Sequence, residues 1–158
     1  MRCRFPVLLL ASLVIIGCSP PTKTLTFYDG HVSLRVPPTW STSVEGSSKQ
    51  ISTPGGDLVL TLALFVKEGG LQGDFSRACF AGIDASVWTE ATDKVFSPRS
   101  RYAMDFRTYV DTTGARRTTV VAMSRDKFFL SLTFVSGQGS FAADSKVMAR
   151  VVSDLQLL

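Results

Sequence analysis

Histidine occurs once in the sequence, at His31, and cysteine three times, and this scarcity excludes most familiar site chemistries. A Ser-His-Asp or Cys-His arrangement would have to be built on His31. That residue stands two positions after Asp29 and just before an alternating strand, where a surface turn is expected. A zinc site takes three or four His, Cys or carboxylate ligands, so neither a metal nor any other cofactor is expected. The glycine pairs at 55 and 56, 69 and 70, and 137 and 139 lack phosphate-loop spacing and read as turns. Internal repeats and low-complexity tracts are missing too. The run from Phe5 to Ile16 is shorter than the roughly 20 apolar residues that span a bilayer.

What is present at the N-terminus is an address. Arg2 and Arg4 precede that apolar run, the layout of a secretory signal. It ends in Leu13-Val14-Ile15-Ile16-Gly17-Cys18, which resembles the lipobox of bacterial lipoproteins. The resemblance implies that the Cys18 thiol takes a diacylglycerol and that a peptidase cuts after the small Gly17. Residues 1–17 are then a cleaved signal peptide, residues 18–24 a lipidated tether and residues 25–158 one domain. The alternative is an ordinary secreted protein cut elsewhere, with Cys18 an incidental thiol. Ser19 follows the cysteine where an Asp would signal retention, which in a Gram-negative cell implies the periplasmic face of the outer membrane. Cys3 leaves with the signal and Cys18 is acylated, so Cys79 remains alone, without a disulfide partner.

Removing Arg2 and Arg4 leaves 15 basic against 13 acidic residues, a nearly neutral mature chain at +2, and nucleic acid is not expected among its partners. Charge is uneven nonetheless: residues 29–93 carry four basic and eight acidic groups, residues 94–127 eight basic and three acidic. A stretch of net +5 can attract anionic headgroups or an acidic envelope protein; the favoured reading is that it forms the solvated polar faces of strands. Within it Arg99, Arg101, Arg116, Arg117, Arg125 and Lys127 are the candidate contacts, expected as exposed groups near strand ends or turns.

Alternation of apolar and polar residues predicts the strands. Val32 to Val36 alternates and is stopped by Pro37-Pro38. Leu58, Leu60, Leu62, Leu64 and Val66 line one face of a long strand, with Val59, Thr61, Ala63 and Phe65 on the other, so that strand is expected to be central or covered on both sides. Asp74 is the expected N-cap of a helix reaching about Trp88, with Phe75, Cys79, Gly82, Ile83 and Ser86 as its stripe. A strand over Lys94 to Ser97, interrupted by Pro98, precedes a meander: Met104 to Val110, a turn at Asp111-Thr112-Thr113-Gly114, Arg117 to Ser124, then a strand with Phe128, Leu130, Leu132 and Phe134 inward. Ser140 is the expected N-cap of a closing amphipathic helix, and Gln156-Leu157-Leu158 can add an edge strand. Trp40 and Trp88 are expected as core or rim packing. This order argues for an α+β fold, an antiparallel sheet flanked by helices.

The stretch Phe27-Tyr28-Asp29-Gly30-His31-Val32-Ser33-Leu34-Arg35-Val36-Pro37-Pro38-Thr39-Trp40, with the terminal meander and helix, resembles the PsbP-like superfamily, which includes bacterial lipoproteins of the DcrB type. The resemblance implies an α-β-α sandwich over residues 25–158 and a binding or assembly role rather than catalysis. It transfers no site residues, because members bind unrelated partners. Three functions follow in order: a membrane-tethered, non-enzymatic module of the cell envelope; a carrier of a small or lipid-like ligand, hinted at by Val59, Ala63 and Phe65; and a hydrolase built on His31.

Overall fold

The computed structural model describes residues 21–67, 72–93, 95–124 and 128–158. Five strands come first: β1 (Lys23–Phe27), β2 (Val32–Val36), β3 (Ser41–Glu45), β4 (Ser48–Ser52) and β5 (Leu58–Val66). Helix α1 (Gln72–Ala81) leads to β6 (Thr89–Glu90), β7 (Ala103–Val110), β8 (Arg116–Met123) and β9 (Phe128–Ser136), and then α2 (Phe141–Ser153) and β10 (Gln156–Leu157) close the chain. The strands make two antiparallel sheets, one of seven in the order β3-β4-β5-β9-β8-β7-β6 and one of three in the order β1-β2-β10.

Period-two alternation places the core. Leu60 pairs with Phe134, Leu62 with Leu132, and Leu132 in turn with Val120, and all five are fully buried. Onto this face pack Val32, Leu34 and Val36 of β2 and Met148, Val151 and Val152 of α2, so one apolar core joins both sheets and the second helix. Such burial is the main source of stability in a domain without a disulfide. Trp40, only 5% exposed, closes this core, as Pro37-Pro38 in front of it suggests; Trp88 is part-buried. The opposite face of the large sheet carries α1, where Phe75 stacks on Phe129 with ring centroids 4.5 Å apart and meets Phe65 at 5.0 Å. The α-β-α layering expected of the sequence is therefore present, with the small sheet sharing α2's layer.

Several local expectations need correction. Helix α1 begins at Gln72, which puts Asp74 inside its first turn, and it stops at Ala81. Asp84 then organises residues 84–88 as a turn, accepting from the Ser86 amide at 2.9 Å and hydroxyl at 2.6 Å. The most deeply buried positions of α1 are Ser76 and Phe80, with Ile83 just beyond the helix, while Phe75 and Cys79 are part-buried. No strand forms over residues 95–100, and Lys94 lies outside the described residues; Phe96 instead turns inward against Phe106 and Phe134, at 5.3 and 5.4 Å. Ser140 does occupy the N-cap of α2, yet its hydroxyl makes no cap bond and contacts Ser136 instead. The first strand starts at Lys23, two residues before the expected boundary of the domain.

The closing strand forms as expected and is held from two sides. Leu157 donates its amide to the Tyr102 hydroxyl at 2.8 Å and its carbonyl accepts from that hydroxyl at 3.2 Å. At the turn before β2, Leu158 donates its amide to the His31 carbonyl at 3.0 Å. That turn carries positive φ at Tyr28, Asp29 and Gly30 (54, 54 and 93°), a conformation costly for the first two. The Tyr28 hydroxyl, bonded to the Leu62 carbonyl at 2.7 Å, ties it to the large sheet.

Candidate membrane-facing surface

Cys18, Arg125 and Lys127 lie outside the described residues. The remaining candidate contacts do not form one basic patch. Arg99 and Arg101 are exposed as expected; the Arg99 amide donates to Ser153 Oγ at 3.2 Å, and the Arg101 guanidinium lies 5.4 Å from the Tyr102 ring. Arg116 and Arg117 are part-buried instead, because successive residues of a strand face opposite sides. Arg116 donates to both carboxylate oxygens of Asp93, at 2.5 and 2.6 Å, and rests 4.8 Å from the Phe141 ring. Arg117 points to the α1 side, where its Nε is buried without a hydrogen-bond partner. Arg107 is paired with Glu90 at 3.2 Å. Two cations of the basic stretch are thus neutralised by acidic residues from the preceding segment.

A different cluster meets the start of the chain. A cleft of about 740 Å³ opens between α2 and β2, and Pro21, Thr22, Arg35, Arg99, Arg150 and Asp154 are among the residues lining it. Arg35, Arg99 and Arg150 are all exposed, and none forms an ion pair with a described residue. Sequence reasoning missed Arg35 and Arg150 because both lie outside the basic stretch. The available signal was local: Arg35 is the charged and most exposed member of β2's alternation, and Arg150 lies off α2's buried stripe.

The remaining reactive groups are engaged in packing. The His31 ring lies 4.6 Å from Phe128, and its Nδ1 is 3.3 Å from the Leu158 carbonyl. Cys79 is free and part-buried; burial pushes its thiol pKa up, and a hydrogen bond with Ser131 offsets part of that rise. Among the described residues, no three His, Cys, Asp or Glu gather as metal ligands. On the second face of the large sheet, beyond α1, Thr61, Ala63, Arg117, Ser131, Thr133 and Val135 line a depression of about 300 Å³. Its lining mixes the hydroxyls of Thr61, Ser131 and Thr133 with the apolar Ala63 and Val135, and on the same face the exposed Phe65 is met by the Phe75 ring. None of the described helices is long and apolar enough to cross a membrane.

No protein-family model and no curated protein matches the chain. Solved structures do resemble it. The solution structure of cyanobacterial PsbP from Synechocystis sp. PCC 6803 superposes with a TM-score of 0.63 at 14% identity, over 94% of this chain and 99% of that one. LpqN, involved in cell envelope biogenesis of Mycobacterium tuberculosis, gives 0.54 at 11% identity over 87% and 90%. A protein from Bacteroides thetaiotaomicron VPI-5482 gives 0.52 at 14% identity over 86% of this chain, which spans about half that protein's length, 48%. With identities this low the likeness concerns architecture, and the two antiparallel sheets and two helices described above are the PsbP-like fold.

Proposed function

We propose that this protein is a bacterial envelope lipoprotein, anchored by an acylated Cys18, whose domain serves as a non-enzymatic binding or assembly module. The observation that carries the reading is the run Leu13 to Cys18 placed directly ahead of a domain whose first strand starts at Lys23. A lipid on Cys18 keeps such a domain at the membrane. Two further features support a binding role. The lone His31 is engaged with Phe128 and Leu158, and burial pushes the Cys79 thiol pKa up, away from a reactive thiolate. The PsbP-like fold is shared with LpqN, a protein of cell envelope biogenesis, which agrees with an envelope setting. The proposed location is the periplasmic face of the outer membrane, from Ser19 after the cysteine.

The test is fractionation of cells carrying the native chain or Cys18→Ser, followed by affinity purification from intact envelopes. The native protein is expected in the membrane fraction together with an envelope protein partner, and Cys18→Ser uncleaved or in the soluble periplasm. Native protein in the soluble fraction would refute the anchor, and a lipid extracted with the purified domain would favour the carrier instead.

A further inference from the structure

We propose that the cleft bearing Arg35, Arg99 and Arg150 docks onto the phosphate headgroups of an anionic membrane, the one in which the acyl chains of Cys18 are inserted; the inference rests on the anchor proposed above. Two observations meet in one place. The three guanidinium groups are exposed and form no ion pair with a described residue, whereas Arg107 and Arg116 are taken up by Glu90 and Asp93. The cleft holds one acid, Asp154, against these three cations, and Pro21 and Thr22 form part of its wall.

Chain length then sets the distance. From Cys18 to Pro21 is three residue steps, at most about 11 Å when fully extended. A headgroup layer is about 5 to 8 Å thick on each side of the hydrocarbon core, and charge attraction persists over about 8 Å at physiological salt. A cleft whose wall begins three residues from an inserted anchor is therefore held within reach of the headgroups. Guanidinium suits the task, because its planar fork donates two parallel hydrogen bonds to phosphate oxygens. The acyl chains supply the attachment, and the cleft sets which side of the domain meets the lipid and which is left for a partner.

The experiment uses the chain from residue 18 onward with Cys18→Ser, which keeps every described strand and helix and carries no acyl group. Binding is measured by co-sedimentation with vesicles of phosphatidylcholine, with and without phosphatidylglycerol, at low and near-physiological salt. Each of Arg35→Gln, Arg99→Gln and Arg150→Gln is expected to weaken binding to the anionic vesicles about fivefold, and the triple variant about a hundredfold. Arg107→Gln, a control at a paired arginine, is expected to bind like the native chain. Should the triple variant fail to fold, the single Gln variants together with Arg35→Lys, Arg99→Lys and Arg150→Lys, which keep the charge without the fork and are expected to bind more tightly than Gln but less tightly than the native chain, carry the test. Equal binding by native and Gln variants, equal binding to vesicles without phosphatidylglycerol, or displacement by soluble glycerol phosphate would overturn the proposal, the last by assigning the cleft to a free phosphate ligand. Acylation of Cys18 is read separately by mass, so failure of the anchor and failure of the cleft are told apart.

Discussion

Arg116 and Arg117 are neighbours on β8 whose side chains serve opposite faces of the large sheet. Arg116 bridges to Asp93 and covers Phe141; Arg117 lines the depression on the α1 side with its Nε unpartnered. The two are not interchangeable solvated charges beside a turn. Arg116→Ala is expected to cost about 0.5 to 1 kcal/mol in urea unfolding, through the lost ion pair and ring contact, and Arg116→Glu more, since it sets a carboxylate against Asp93. Arg117→Leu is expected to stay within about 0.5 kcal/mol of the native protein, because it removes a buried polar atom that has no partner to lose. Equal costs at the two positions would contradict this division.

Cys79 is expected to react slowly with thiol reagents in the native state, since burial raises its pKa and so depletes the reactive thiolate. Its reaction should accelerate on unfolding. Cys79→Ala should cost about 1 kcal/mol, through lost packing and the lost bond to Ser131. Rapid labelling of the folded protein would give this thiol a redox role instead.

The turn between β7 and β8 is organised by one carboxylate. Asp111 Oδ1 accepts from the Thr113 amide at 2.8 Å, the Thr113 hydroxyl at 2.7 Å and the Ala115 amide at 2.9 Å, and Gly114 supplies the left-handed residue at φ 81°. The Thr113 hydroxyl above all, with the backbone amides, lowers the Asp111 pKa below its ordinary value. The folded state therefore gives up this proton more readily than the unfolded one. Its contribution to stability is complete above the ordinary carboxylate pKa and fades as pH falls through the lowered one. An NMR titration should show the Thr113 and Ala115 amides shifting together only in that acidic window, and Asp111→Asn, which keeps the accepting oxygen, should abolish the pH dependence while keeping the turn. Amides that shift at the ordinary carboxylate pKa would contradict the assignment.

Tyr102 holds the chain's end through two hydrogen bonds to Leu157. Tyr102→Phe should cost about 1 to 2 kcal/mol, because it leaves the Leu157 amide unpaired. Hydrogen exchange should speed up at β10 and the facing part of β2 while β5 and β9 keep their protection. Unchanged exchange at Leu157 would mean that β2 alone holds the edge.

How much of this was legible in the sequence depended on how deeply each element is buried. Strands β2, β5 and β9 carry fully buried residues in alternation with less buried ones, so period two showed, whereas β8 is buried without a break from Thr118 to Ala122. The β3–β4 hairpin went unseen because every residue of β3 is exposed and only Ile51 of β4 is buried, leaving no hydrophobic signal. Helix α1 was read as too long because Ile83 and Ser86 keep helical spacing after Gly82, while the Asp84 turn that ends the helix depends on side-chain hydrogen bonds that periodicity does not register. The basic stretch showed charge but not pairing: Asp93 and Glu90 come from its flank and neutralise Arg116 and Arg107 only once the sheet forms. Similarly, Arg35, Arg99 and Arg150 lie far apart in sequence, and their shared cleft is a product of tertiary structure.

The most direct test of the account is the intact mass of the mature protein purified from membranes, with fragmentation of its N-terminal peptide. An anchored envelope module predicts a chain that begins at Cys18 and carries diacylglycerol on its thiol. A chain that begins at another residue, or at an unmodified Cys18, would contradict the anchor.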